Sequence, residues 1–540
     1  MFVGNKNRID LSSSNFKDFI NNGSLYIDKT AFIEHVLEDS SKVLLFTRPR
    51  RMGKSLNINT LAAFLDRSQD MAHLFKGLYI ENSPVFSHVN KYPVIYLDFV
   101  NLDATSFENL QKSYRNRILR LINRLFKPEQ IDYSLKEYIN DSKDYSSSII
   151  ASLVEYAAEC YNEEPFLIID EYDKVIMDTL NHPEGSDIKN FIVTALQSTL
   201  KGRTYFKKAV MTGVTRTAKE NLFSGLNNIV VYDILKLSVY DTDFSLTEEE
   251  MLELVPEDKI AGVREWYNNM RVGGSLLYNI YSVMNYLSDP EAGLKAYWAR
   301  TGGEALLSGL MNNNRTDMII GMMEKNSREH DVILDSRLNM EHLKNGADCS
   351  DTSFYTLAVQ AGYLSHNHIN HDTYEIFIPN KEARHVWARL VLDYKYNGAD
   401  TKLADIFKGI SDTETFSRQL TEFISMVLSY NDFKTREEWV YHVFFLGLVY
   451  SLGYECKSNL EAGLGRFDIF LKTHGFSAII EFKTSDSAAD SALGKEADKA
   501  LAQIEEKEYW HTVKDPYLPL YKIGIACHGK KCLVKTVLHK

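Results

Sequence analysis

The sequence predicts an α/β chain with a sheet near each end and a largely helical middle, and three observations carry that expectation. A short apolar run, Val43-Leu44-Leu45-Phe46, passes through Thr47-Arg48-Pro49-Arg50-Arg51-Met52-Gly53-Lys54-Ser55-Leu56 into a helix-like run. A second apolar run, Phe166-Leu167-Ile168-Ile169, ends in Asp170-Glu171-Tyr172-Asp173. Far downstream, two strand-like runs carry Asp468 and then Glu481-Phe482-Lys483. Strand, loop, helix and strand in that order is the grammar of a parallel sheet.

The first run is a phosphate loop. Gly53-Lys54-Ser55 at a strand-to-helix junction turns backbone N–H groups and the positive helix end toward a triphosphate, with Lys54 reaching the β/γ-phosphates and Ser55 holding Mg²⁺. The usual pattern has Gly where this chain has Arg48, so the loop is expected to close without its first permissive residue. Arg48, Pro49, Arg50, Arg51, Met52, Gly53, Lys54, Ser55 and Leu56 are the candidate nucleotide-binding positions. The three arginines are candidates to hold phosphate or a neighbouring subunit, with a solvent-facing role as the alternative.

The acidic strand end completes the pair. Asp170 is expected to hold Mg²⁺ through water or Ser55, and Glu171 to polarise the water that attacks the γ-phosphate. A further strand, Ala209 to Val214, carries Thr212 and precedes Arg216, from which a hydroxyl and a guanidinium could sense the γ-phosphate, against ordinary turn and surface roles. Elsewhere in this half, Phe32, Ile33, Val36 and Leu37 make a helix capped near Asp28 or Thr30. Val94 to Phe99 is a strand, and Gln111 to Lys127 a helix with Arg117, Arg120 and Arg124 along a face read as solvated.

Residues from about 240 to 330 read as helices, one opened by Thr247-Glu248-Glu249-Glu250, and suggest a lid. Between Leu338 and Tyr394, two helical patterns and a strand at Tyr374 to Ile378 suggest a small winged-helix-like unit, read as a lid in preference to a DNA contact. The spans expected are 1–240, 241–335, 336–400, a helical bridge over 401–430, and 431–540.

In the last span, Gly465 to Lys472 and Ser477 to Lys483 form a hairpin. Period two puts Glu481 and Lys483 on one side. With Asp468 alongside, two carboxylates could hold Mg²⁺ against a phosphate oxygen while Lys483 orients the attacking water, which is the apparatus of phosphodiester hydrolysis. A charged amphipathic hairpin fits the same residues equally. Glu437 to Gly447, with Trp439, His442 and Phe445, reads as a leading helix, and Ala500 to Ile504 as a trailing one that brings Gln503 near the strands. His442 reads as a structural histidine. Lys495, Lys499, Lys507, Lys530 and Lys531 give this span basic charge that could follow a phosphate backbone.

Composition limits the alternatives. A chain of 540 residues needs several cores, and 44% hydrophobic with 25% charged residues is that of a globular protein. A formal charge of −12 excludes a uniformly basic coat but not a local basic groove. Cys160, Cys349, Cys456, Cys527 and Cys532 are scattered and odd in number, which argues for a reducing compartment. Cys527 and Cys532 lack the further ligands of a zinc site and read as reactive or buried thiols. The polar N-terminus and the absence of a twenty-residue apolar run lead to a cytoplasmic expectation.

Tyr26-Ile27-Asp28-Lys29-Thr30, Phe46 through Asn57, Tyr92-Pro93-Val94-Ile95, Ile169 through Asp173 and Ser224-Gly225-Leu226-Asn227-Asn228 resemble the AAA-ATPase-like family of bacterial and archaeal proteins that carry a C-terminal PD-(D/E)XK nuclease-like domain. The resemblance continues through Arg264 to Asn268 and Tyr278 to Val283. Ser458 to Glu461, Gly463 to Arg466 and Gln503 to Tyr509 resemble the nuclease-like domain. It implies an ASCE-type, AAA-like P-loop sheet with helices on both faces, a catalytic Glu171 beside Asp170, and a restriction-endonuclease-like α/β domain with Asp468, Glu481, Lys483 and Gln503 at its site. Related nucleases pair Gln with a Tyr four residues on, whereas position 507 is Lys and the nearest Tyr is Tyr509. ATP, Mg²⁺, nucleic acid (DNA in preference) and a homo-oligomer are the implied partners, in prokaryotic defence or mobile-element biology. The alternatives are a signalling or scaffold ATPase whose C-terminal fold only binds nucleic acid or protein, and a nuclease whose P-loop binds nucleotide structurally without turnover.

Overall fold

The computed structural model describes all residues except 1, 142–144, 202–204, 217–227, 299–303, 326–327, 337, 339, 345, 396–398, 430–440, 442–444, 446–448, 450–451, 453, 459–460, 463–464, 467, 514–516, 530 and 540. Two compact units divide the chain, one taking residues 1–288 and 329–380, the other 289–328 and 381–540.

The first unit is built on β1 (Val43–Thr47), β2 (Val94–Asp98), β3 (Phe166–Asp170), β4 (Lys208–Gly213) and β5 (Ile229–Tyr232), all parallel, in the order β2-β3-β4-β1-β5. Every residue of β1, β3 and β4 is buried, as expected of central strands covered on both faces. The helices include α1 (Ala31–Glu38), α2 (Lys54–Leu65), α3 (Phe107–Leu125), α4 (Ile149–Tyr161) and α5 (Gly185–Leu200). Helix α3 uses much of its arginine stripe on the protein itself: Arg117 lies 3.6 Å from Asp98, and Arg124 donates to the Val94 carbonyl at 2.9 Å on the edge strand. Arg120 is exposed.

Beyond β5 come α6 (Glu248–Leu254), α7 (Ile260–Tyr267), a hairpin of β6 (Met270–Val272) and β7 (Ser275–Leu277), and α8 (Ile280–Ser288). The all-helical expectation for this stretch is corrected by that hairpin, whose turn is Gly273-Gly274. Gly273 has φ +54, and a Cβ on it would fall 2.2 Å from the Asp241 carboxylate, which accepts from the Gly274 N–H at 2.9 Å. The segments 264–268 and 278–283 knit this region together. The Tyr278 hydroxyl donates to Glu248 and accepts from Asn268, Arg264 pairs with the same Glu248, and the Asn279 N–H donates to the Tyr267 carbonyl. Lys29 of the early Asp-Lys-Thr run is buried against Glu250 and the Thr242 carbonyl.

The unit closes with an antiparallel sheet of β8 (Glu329–Ile333), β9 (Ser365–Asn370) and β10 (Thr373–Phe377), in the order β8-β10-β9, beside α9 (Asp351–Gln360). It sits against the phosphate loop: a Cβ on Gly362 would lie 3.0 Å from Pro49.

In the second unit a five-stranded sheet, β11 (Glu455–Ser458), β12 (Ile469–Lys472), β13 (Ser477–Thr484), β14 (Leu520–His528) and β15 (Lys531–Leu538), runs in that order, antiparallel except for β13 beside β14. Alternation sorts β13 into two faces. Ala478, Ile480 and Phe482 pack with α10 (Thr413–Ser429) and with Tyr441, Phe445 and Val449, which follow one another at helical spacing. Ile479, Glu481 and Lys483 face α11 (Asp490–Glu506) and Tyr509, just before α12 (Trp510–Val513). The free-thiol reading of Cys527 and Cys532 is corrected: β14 and β15 set them directly opposite each other and they form a disulfide.

Candidate functional site

In the phosphate loop the left-handed positions are Arg51 (φ +63) and Gly53 (φ +81), not Arg48. The first position therefore has no conformational need for glycine, and the strain falls on Arg51. Gly53 caps α2 without a side-chain hydrogen bond, so the first N–H groups of that helix stand available to an anion. Lys54 is 3% exposed, and its ammonium donates to the carbonyls of Arg48 (3.1 Å) and Pro49 (3.0 Å), 3.9 Å from the Glu171 carboxylate.

Asp170 ends β3, next to β4 and one strand from β1. Burial pushes its carboxyl above the ordinary range, opposed by hydrogen bonds from the Thr212 and Ser55 hydroxyls. Thr212 also accepts from the Glu171 backbone N–H at 3.4 Å, so one hydroxyl touches the Asp170 carboxylate and the Glu171 main chain, and Glu171 itself is held at φ +49. The expected set of Lys54, Ser55, Asp170, Glu171 and Thr212 is thus brought together. Asp173 is buried and accepts from the N–H groups of Val214 and Thr215 and from the Thr215 hydroxyl, fixing the turn after β4. Gly213 permits this, since a Cβ there would lie 2.6 Å from Tyr172 and 2.7 Å from Asp173. Tyr96 is a participant the sequence reading missed: it shares a face of β2 with Asp98, which pairs with Asp170 across the ladder, and burial, with the Asp170 and Asp98 charges, pushes its hydroxyl well above the ordinary range.

The arginines part company. Arg51 is exposed, its guanidinium 4.6 Å from the centre of the Tyr281 ring. Arg216 donates to the Ser336 hydroxyl at 3.2 Å. Arg48 is fully buried, its guanidinium donating to the carbonyls of Thr47, Tyr232 and Tyr240. The expectation that the Arg48 side chain holds phosphate is corrected on that ground, because its charge is turned down into the protein. Met52 is buried too, while Arg50 and Leu56 are half-buried. An open helix N-terminus, an ammonium resting on loop carbonyls and a hydroxyl–carboxylate pair suit a magnesium nucleotide.

The second site lies on the α11 face of the C-terminal sheet. The β12/β13 register, continued one step, sets Asp468 opposite Glu481. Asp468 accepts from the Phe482 N–H at 2.8 Å. One oxygen of Glu481 accepts from Lys483 at 3.3 Å and from Gln503; the other is buried with no hydrogen-bond partner among the described residues. Burial and then the Asp468 charge push the Glu481 carboxyl up to about 8, and burial raises Asp468 as well. Two facing acids, one with an orphaned buried oxygen, have the chemistry to hold a divalent cation. Among the described residues no three His, Cys, Asp or Glu side chains gather as a metal site, so waters and substrate would complete the shell. Tyr509 stands 3.3 Å from the Gln503 amide, although it lies six residues along instead of four.

Gly524 explains how α11 reaches this site. It pairs with Glu481 in the β13/β14 ladder, and a Cβ on it would fall 2.4 Å from the Ala497 carbonyl. A lone glycine inside a strand is the sequence signal for such close approach. Of the basic residues expected to follow nucleic acid, Lys499 pairs with Glu496 and Lys531 with Asp490. Ser224 to Asn227, Trp439, His442, Asn459, Leu460, Gly463, Leu464 and Lys530 lie outside the described residues.

Residues 11–223 match the AAA-ATPase-like family, described as predicted AAA-ATPases, and residues 436–537 match the PD-(D/E)XK nuclease superfamily. The chain therefore joins a predicted AAA-type ATPase domain to a PD-(D/E)XK nuclease-like domain. It is 24% identical over 524 residues to an uncharacterized protein in the vnfD 5′ region of Azotobacter chroococcum, covering 93% of this chain and 92% of that one. A Walker-type ATPase of Pyrococcus abyssi matches 66% of this chain and 94% of its own at 15% identity, with a TM-score of 0.34.

Proposed function

We propose that the chain binds and hydrolyses ATP at Lys54, Ser55, Asp170 and Glu171 and cleaves nucleic acid, DNA in preference, at Asp468, Glu481 and Lys483, with the nucleotide state governing the cleavage. The observation that carries the second half is the facing Asp468–Glu481 pair, with an unpartnered Glu481 oxygen and Lys483 beside it. Magnesium held there would stabilise charge building on the phosphate and its leaving oxygen.

The protein's own groups do the rest. Gln503 fixes the orientation of Glu481, and Lys483 orients the attacking water. At the other site Lys54 leaves its loop carbonyls for the phosphates, and Glu171, held by Thr212, positions water at the γ-phosphate. Packing of the β8–β10 unit on Pro49 and of Arg216 on Ser336 favours a lid over a DNA-reading role for that unit. Among the described residues no helix is long and apolar enough to cross a membrane. A homo-oligomer and a role in defence or mobile-element biology complete the reading.

The test is a pair of variants. Lys54→Ala should abolish ATP hydrolysis, and Lys483→Ala should abolish Mg²⁺-dependent cutting while leaving ATP turnover. Full cutting by the Lys483 variant removes the nuclease assignment. A wild type that hydrolyses ATP but cuts neither DNA nor RNA favours the scaffold ATPase.

A further inference from the structure

Arg48 stands where phosphate loops have a glycine, and every polar group it has but one is engaged. Its N–H donates to the Gly213 carbonyl at 3.1 Å, extending the β1/β4 ladder by one step. Its carbonyl accepts from Lys54 at 3.1 Å. One terminal nitrogen of its guanidinium donates to the carbonyls of Thr47 (3.0 Å) and Tyr232 (2.7 Å), the other to that of Tyr240 at 3.3 Å. The group lies 5.2 Å from the Phe244 ring centre, with the charges of Asp233, Asp241 and Asp243 around it, and Nε finds no partner among the described residues.

We propose that Arg48 is a positioning residue: it anchors the first residue of the phosphate loop to the end of β5 and the segment that follows it, and thereby sets where the loop carbonyls hold Lys54. The planar fork of an arginine serves carbonyls from two separate chain segments at once in a fixed geometry, which a glycine cannot do and a lysine ammonium does only as a compact point charge without that geometry. Two further ties flank it, the pairing of Phe46 with Tyr232 in the β1/β5 ladder and the Asn57 side-chain amide donating to the Asp243 carbonyl at 2.6 Å, so Arg48 is the tie made by the loop's first residue. The segment Arg48 grips carries Asp241 on to the turn of the β6/β7 hairpin, so loop and hairpin share one foundation. The consequence opposes the usual pattern: restoring the consensus glycine damages the loop. This rests on the nucleotide-binding reading of the loop, but its first test does not.

Hydrogen exchange on the nucleotide-free full chain compares wild type with Arg48→Gly and Arg48→Lys. In Arg48→Gly, amides of residues 47–57 and of 232–244 should exchange at least about tenfold faster together, while β2 and β3 keep wild-type protection. Millimolar guanidinium should restore part of that protection; Arg48→Lys should fall between. Affinity for a fluorescent ATP analogue should drop about tenfold or more in Arg48→Gly, with Lys54→Ala as the control for loss of the site. If Arg48→Gly does not fold, the Arg48→Lys comparison decides. Unchanged exchange in both segments, or loss in only one, overturns the anchor. Coupled loss of protection in a chain that binds no nucleotide in any form upholds the anchor and overturns the nucleotide reading instead.

Discussion

Replacing Gly524 by alanine tests how closely the C-terminal site depends on the seat of α11. The added Cβ would stand 2.4 Å from the Ala497 carbonyl, 3.1 Å from Leu501 and 3.2 Å from Ala500. The first of these is helix backbone, so no side-chain rotation relieves it; reaching an ordinary contact near 3.4 Å requires α11 to lift by about 1 Å at that point. Overpacking of this kind costs about 1–3 kcal/mol. Gln503 sits between one and two turns further along the same helix and supplies the bond to Glu481. A shift of about 1 Å at a reacting centre can cost about 100-fold in rate. The expected result is a folded protein whose Mg²⁺-dependent cleavage falls 10- to 100-fold, approaching Gln503→Ala, with ATP turnover unchanged. Cleavage kinetics beside a melting curve decide it. Wild-type cleavage with a lowered melting temperature would show that the helix moves without carrying the site, and the positioning argument would fail.

Other consequences follow from burial and hydrogen bonding. Glu481 has its folded-state pKa raised from 4.5 to about 8, so between those values the unfolded chain has lost a proton the folded chain retains, and stability falls as pH rises through that window. Without metal, Glu481→Gln should therefore gain stability over wild type between pH 5 and pH 9, by at most on the order of 5 kcal/mol because Asp468 shares the burden. A melting-temperature difference that ignores pH refutes the assignment. Asp173→Ala strips the acceptor from three buried donors, and denaturant unfolding should register a loss of about 3–5 kcal/mol, far more than a surface aspartate would give. Glu171→Gln should bind ATP with wild-type affinity and lose most hydrolysis; turnover at the wild-type rate removes Glu171 from the chemistry.

How much of this the sequence contains depends on what kind of signal each element leaves. Central parallel strands are buried on both faces, so Val43–Thr47 and Phe166–Asp170 stand out as apolar runs, and their polar ends are where a site must open. Glu481 and Lys483 were legible from a two-residue period, but Asp468 gains its place from register, which a run of residues does not state. The β6/β7 hairpin was missed although Gly273-Gly274 between Met270-Arg271-Val272 and Ser275-Leu276-Leu277 is a hairpin signal, because the flanking helical periodicity outweighed it. Cys527 and Cys532 read as a spacing of five; they become partners only once the chain reverses between them.

Arg48 marks the sharper limit. Residue type told of a cation in a phosphate loop, and the chemistry of that loop made a phosphate contact the natural reading. The direction of the side chain depends on three carbonyls, two of which lie 184 and 192 residues away in sequence. The glycine rule failed for a related reason. It concerns backbone angles, and in this loop the left-handed angles fall at Arg51 and Gly53, leaving position 48 free to carry a side chain into the protein. A departure from a motif is therefore better judged by which angle and which space the position has than by which residue usually fills it.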